Sequence, residues 1–175
     1  MRFAYIGKPR NKYKMKKTFF ALAALLIFGA SCKAPKAALE KRKLIDGTWT
    51  LEDVSYENAS GNFKSTLFND AEDICFEDSE WFFRNNNSTG KYAIASSTLC
   101  NGGDRWIRWS VVDNPENYSS QLQFKMIDEN YKDISGGLGY RLNITSLTEQ
   151  QMTLKSNATV DGEVVNIVYK FNKKS

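Results

Sequence analysis

From Thr48 to Phe171 the chain alternates apolar and polar residues in short runs, each closed by a turn-forming cluster. Side chains of a strand point to opposite faces in turn, so a period of two reads as half-buried β-structure. Trp49 and Leu51 share one face of the first run, with Thr48, Thr50 and Glu52 on the other. The phase breaks near Asp53 and resumes out of step at Val54 and Tyr56, which predicts a bulge. Trp81 and Phe83 alternate with Glu80, Phe82 and Arg84, Asn85 to Gly90 forms a hairpin connection, and Tyr92 and Ile94 continue on the return. Ile107, Trp109 and Val111 oppose Trp106 and Arg108; Leu122, Phe124 and Met126 belong together, as do Tyr140, Leu142 and Ile144, then Met152 and Leu154. Val165, Ile167, Tyr169 and Phe171 complete the series. Phe63 to Phe68 is read as a weak strand, Asn69 to Asp73 as a capped helical turn, and 128–138 as a long polar loop.

The count is eight or nine strands. No long amphipathic helix separates them, which argues against a parallel sheet. A meander of this size must hide its edges, and closure into a barrel does so. The expected fold is therefore all-β, an up-and-down antiparallel meander closing into a barrel of about eight strands, with a two-sheet β-sandwich as the alternative. An eight-stranded barrel is filled by side chains or holds one small ligand.

A different pattern precedes the strands. Lys16 and Lys17 are followed by ten apolar residues, Phe19 to Phe28, and then by small residues ending at Cys32. That order matches a secretory signal, and the run is too short to span a bilayer. The segment resembles a bacterial lipoprotein signal, although Gly29 stands where a branched apolar residue is usual. The resemblance implies that residues 1–31 are removed and that Cys32 carries the lipid, a palmitate-type acyl chain. Residues 1–14 hold five basic residues and no acid before a second methionine, Met15, and are read as a misplaced start, with an extended basic n-region as the alternative. Residues 32–44 are then a lipidated cysteine and tether with one short helix, and 45–175 the β domain. Lys33-Ala34-Pro35-Lys36 carries no acidic sorting cue. The expected place is the cell envelope, in the outer membrane and facing the periplasm.

Seven of the 24 basic residues and none of the 20 acidic ones fall within residues 1–31, so the remainder carries 17 basic against 20 acidic residues. The basic balance of the whole chain belongs to the leader, and no nucleic-acid footprint remains. With Cys32 assigned to lipid, Cys75 and Cys100 are left, and a pair in an oxidising compartment is read as a disulfide. Two free buried thiols or a metal pair are the alternatives.

The chain has no histidine, which removes the usual Ser-His-Asp and Cys-His nucleophile systems and two-histidine zinc sites. Asp70, Glu72, Asp73, Glu77, Asp78 and Glu80 form either a calcium site or a solvated acidic loop; their spacing matches no EF-hand. No catalytic residue, metal or cofactor is assigned, and the chain is read as non-enzymatic. Trp49, Trp81, Phe83, Tyr92, Trp109, Phe124, Tyr140 and Tyr169 fall on inward faces, most as core and a minority as pocket lining. Trp106 and Arg108 face outward, as an exposed cation–π pair, a partner-facing patch or ordinary surface.

Gly47-Thr48-Trp49 has the Gly-x-Trp spacing that opens the first barrel strand of lipocalins. With the lipid signal, Leu44-Ile45-Asp46 before it, and Cys75-Phe76-Glu77-Asp78 ahead of an aromatic strand, residues 44–172 resemble the lipocalin-like lipoproteins of Gram-negative bacteria. The resemblance implies a membrane-anchored barrel binding a small apolar or amphipathic ligand. The alternative is a solid barrel that docks an envelope protein partner.

Overall fold

The computed structural model describes residues 36–58, 65–114, 119–160 and 163–175. The leader, Cys32 and Phe63 lie outside the described residues. Helix α1 (Lys36–Ile45) leads through Asp46 into β1 (Gly47–Glu57). A small hairpin, β2 (Thr66–Leu67) and β3 (Ala71–Glu72), and a 3₁₀ turn at Asp73–Cys75 follow. Then come β4 (Ser79–Arg84), β5 (Thr89–Ile94), β6 (Gly103–Asn114), β7 (Ser119–Ile127), β8 (Tyr140–Leu147), β9 (Gln151–Val160) and β10 (Glu163–Lys173).

Eight strands close into a barrel in the order β1-β10-β9-β8-β7-β6-β5-β4, each pair antiparallel. The meander expected from the sequence is what forms, and closure leaves no edge of that sheet unpaired. Its bulge falls where the phase of β1 breaks: the register against β10 shifts between Leu51 and Asp53. Gly90 is needed opposite Phe83, because a Cβ there would lie 2.3 Å from the Phe82 carbonyl oxygen.

Helix α1 closes one end. Ala38 and Ile45 are buried, and Arg42 donates to the Asn85 carbonyl (2.8 Å) and the Ser88 hydroxyl (2.7 Å) while lying 5.1 Å above the Trp109 ring. Lys41 reaches Asp113 at 3.0 Å and Ser120 at 2.6 Å. Burial works against the Asp113 charge, but the Ser120 and Lys41 hydrogen bonds outweigh it and hold its pKa below the usual carboxylate value. The helix is thus built into the domain.

The Gly-x-Trp motif belongs to the same closure. Gly47 sits at φ +117°, a conformation that favours glycine. Trp49 is fully buried, its indole N–H donates to the Ile45 carbonyl (2.7 Å), and the Lys173 ammonium stands 5.1 Å from its ring while donating to the Leu44 carbonyl (2.9 Å). First and last barrel strands and the helix therefore meet at one tryptophan.

Candidate functional site

At the opposite end, the described chain between β2 and β4 folds inward. The expected strand over Phe63–Phe68 is reduced among the described residues to Thr66–Leu67, and Asn69–Asp73 is not a helical turn but the return of a hairpin. The Asp70 amide donates to the Leu67 carbonyl (3.0 Å) across Phe68 and Asn69, whose φ values are +53° and +50°. Positive φ at both central positions is the signature of a primed turn, which suits Asn and disfavours Phe. Phe68 holds that conformation because its ring enters the barrel mouth. It is 8% exposed, with ring centroids 5.0 Å from Phe124, 5.2 Å from Tyr140, 5.4 Å from Phe76, 5.7 Å from Tyr169 and 5.9 Å from Trp81.

Polar contacts fix this plug. Tyr140 donates its hydroxyl to the Phe68 carbonyl (2.5 Å). Asp70 accepts from Arg105 Nε (2.8 Å) and Nη2 (3.2 Å) and from the Tyr92 hydroxyl (2.8 Å). Burial, reinforced by the Asp70 carboxylate, pushes the Tyr92 phenol well above its ordinary value, so Tyr92 stays a donor. Behind the hairpin, a disulfide joins Cys75 to Cys100 and ties the 3₁₀ turn to the loop before β6. Asp73 accepts from Tyr56, and Glu80 pairs with Lys174, so the acidic cluster is drawn apart toward separate donors. Among the described residues no group of three or more metal-ligating side chains is assembled.

The eight inward aromatics divide by depth. Trp49, Phe83 and Trp109 lie toward the helix end, with Phe83 and Trp109 at 5.3 Å edge to face. Trp81, Tyr92, Phe124, Tyr140 and Tyr169 lie toward the mouth; Trp81 stacks on Tyr92 at 4.5 Å and Phe124 meets Tyr140 at 5.2 Å. Seven of the eight are buried and Tyr140 is half-buried. These rings occupy the interior with one another, each pair adding about 0.5–1.5 kcal/mol beyond burial.

Open space begins above them. A cleft of about 530 Å³ lies between the Phe68–Asp70 turn and the 128–138 loop, reaching Tyr140, Met126, Ile134 and Leu138 on its apolar side and Asp70 and Arg105 on its polar side. Ile134 and Leu138 are 64% and 70% exposed. The 128–138 loop folds back along β7: Asp133 bridges to Ile127, and the Ile134 amide donates to the Met126 carbonyl (3.3 Å). That is why Ile127, on the outward face, is buried while Met126 is only half so. The strand period pointed to Tyr140 but missed Phe68, Ile134 and Leu138; the available signal was large apolar residues inside otherwise polar turns. The cation over Trp106 is Lys91 (5.8 Å), directly across the β5–β6 pair, and not Arg108, which leaves the cation–π pairing with Arg108 unformed.

No curated protein matches the sequence. Among solved structures, a complex of bovine odorant-binding protein with a selenium-containing odorant aligns at TM-score 0.40 and 10% identity, covering 75% of this chain and 74% of that one. A deswapped triple mutant of the bovine protein aligns at 0.39 and 10%, covering 75% and 74%. Odorant-binding protein from bovine nasal mucosa aligns at 0.38 and 9%, covering 83% and 77%. A family model described as a lipocalin-like domain matches residues 45–154, from the carbonyl that receives the Trp49 indole to the middle of β9. The chain belongs to the lipocalin-like domain family.

Proposed function

We propose that the protein is an exported, membrane-tethered binding module that takes a small apolar or amphipathic molecule at the barrel mouth, without catalysing a reaction on it. The observation that carries this reading is the 530 Å³ cleft, whose apolar floor and exposed Ile134 and Leu138 rim sit beside the polar Asp70–Arg105 pair. Binding sites of this kind are apolar with a few placed polar groups. Phe68 forms part of the floor, its packed ring offsetting a backbone conformation that a phenylalanine disfavours. Saturable binding of an environment-sensitive hydrophobic dye, displaced by a fatty acid or a lysophospholipid, tests the reading. Leu138→Asp should abolish that binding and leave the urea midpoint unchanged. No saturable binding by the parent chain would overturn it.

The ring-filled interior favours a second reading, a solid barrel that docks an envelope protein through its outer surface. That reading predicts no displaceable dye signal. The tether in either case is the acylated Cys32, with the domain in the cell envelope, anchored in the outer membrane and facing the periplasm. Metabolic labelling with palmitate should mark the parent chain and fail in Cys32→Ser; a parent chain that stays unlabelled would remove the tether.

A further inference from the structure

The outer wall of the barrel carries a second open site with the opposite chemistry. A groove of about 490 Å³ runs over β6, β7 and β8, and three cations, Arg108, Lys125 and Arg141, border it with no carboxylate among its lining residues. The strand register concentrates them. Arg108 faces Lys125 directly across β6–β7, and Arg141 faces Gln123 across β7–β8, next but one to Lys125. Like charges directly opposite on one sheet face are destabilising, and an anion between them would relieve the repulsion.

The chain supplies only part of it. Lys125 pairs with Asp133 at 2.6 Å. Among the described residues Arg108 meets only the Tyr131 carbonyl, at 3.5 Å, too long for an effective hydrogen bond. Arg141 has no ion pair among the described residues, and Ser110 and Gln123 offer neutral donors between the cations. Gly137 and Gly139 on the rim place no side chain over the opening, and a Cβ at Gly137 would meet nothing within 4 Å. Two exposed guanidiniums beside an ammonium match the oxygens of a tetrahedral oxoanion, where each planar fork donates two charge-assisted hydrogen bonds.

We propose that this groove binds a phosphate-type group through Arg108, Arg141 and Lys125. The group is carried either by a small soluble phosphate ester or by an anionic lipid headgroup. The groove shares Tyr140 with the mouth cleft, but its cations lie outside that cleft and its test does not depend on a ligand there.

The full-length chain is titrated calorimetrically with inorganic pyrophosphate. In parallel it is mixed with phosphatidylglycerol vesicles and with phosphatidylcholine vesicles; because the leader is itself basic, the contribution of the groove is read as the difference between the parent chain and R108Q/R141Q, which share that leader. Saturable pyrophosphate binding identifies the soluble source; binding to phosphatidylglycerol alone that is weakened in R108Q/R141Q identifies the headgroup. In the paired variant R108Q/R141Q the affinity should fall by about tenfold or more, as expected on losing charge-assisted contacts. Ser110→Asp, which places a carboxylate among the cations and keeps both arginines, should do the same. Arg84→Gln removes one exposed cation elsewhere on the barrel and should change the affinity by less than about twofold, because exposed, distant charges are screened. Absence of saturable binding to both probes, or an R84Q loss as large as that of R108Q/R141Q, would overturn the proposal.

Discussion

Replacing Phe68 by alanine separates the two roles assigned to its ring, as packing in the core and as an obstacle in the mouth. A buried Phe→Ala change costs about 3–5 kcal/mol, set by how far the site can collapse. The ring touches five aromatic neighbours but stands at the rim, beside a 530 Å³ cleft that can admit water, so the lower end, about 3 kcal/mol, is expected. With a urea m-value of about 1–3 kcal/mol per molar, the midpoint should fall by about 1–3 M at unchanged slope. Phe68→Gly loses the same ring but also relieves the left-handed backbone, worth about 1–2 kcal/mol. Against this stands the greater unfolded-state freedom of glycine, about 0.4–1 kcal/mol. F68G should therefore be at least as stable as F68A, whereas at an ordinary φ it would be less stable. Both variants should bind a hydrophobic dye more tightly than the parent, because the opened space is continuous with the cleft. A stability loss below about 1 kcal/mol in F68A would show that the ring is not packed, and weaker dye binding would show that it is a ligand contact and not a plug.

Three further perturbations test other parts of the molecule. Replacing Cys75 and Cys100 together by serine releases a loop with a sequence separation of 25, which should lower stability by roughly 3.5 kcal/mol in the chain-entropy treatment. A change below about 1 kcal/mol in the unfolding free energy would refute that treatment here. Burial pushes the Tyr169 phenol up to about 12, against a partial offset from its Ser156 hydrogen bond. A raised folded-state value gives stability that is complete below pH 10 and is lost as pH rises through about 12, up to about 3 kcal/mol. Tyr169→Phe should flatten that alkaline limb, and the tyrosinate absorbance that the parent shows in excess of the variant should appear together with unfolding; its appearance while the parent is still folded would contradict the reasoning. Lys173→Met removes the donor to the Leu44 carbonyl and the cation over Trp49, for about 1–2 kcal/mol and a shift in tryptophan emission. An unchanged midpoint would show that the ammonium does not hold the helix end.

The barrel was legible in the sequence because a period of two survives without knowledge of neighbours: Trp81 and Phe83, or Ile107, Trp109 and Val111, declare one face whatever they pair with. Closure followed from counting edges, and even the bulge in β1 showed as a lost phase at Asp53. The mouth was not legible, because its residues obey local and global demands that disagree. Turn chemistry at Phe68-Asn69-Asp70 asks for small or polar residues, and only the space left by five rings from the surrounding chain explains why a phenylalanine accepts a left-handed backbone there. Partner choice on the outer wall was hidden for a related reason. Trp106 meets Lys91, not Arg108, because the two lie opposite each other in the β5–β6 register, and the eight residues between those strands are too many to fix that register from sequence. The same register sets Arg108 against Lys125, an arrangement that no single strand displays. Sequence period thus determines which side of the wall a residue occupies, while strand register determines whom it faces. In this protein the mouth cleft and the cationic groove both belong to register and loop packing, so both sites stayed hidden behind a fold that the sequence stated openly.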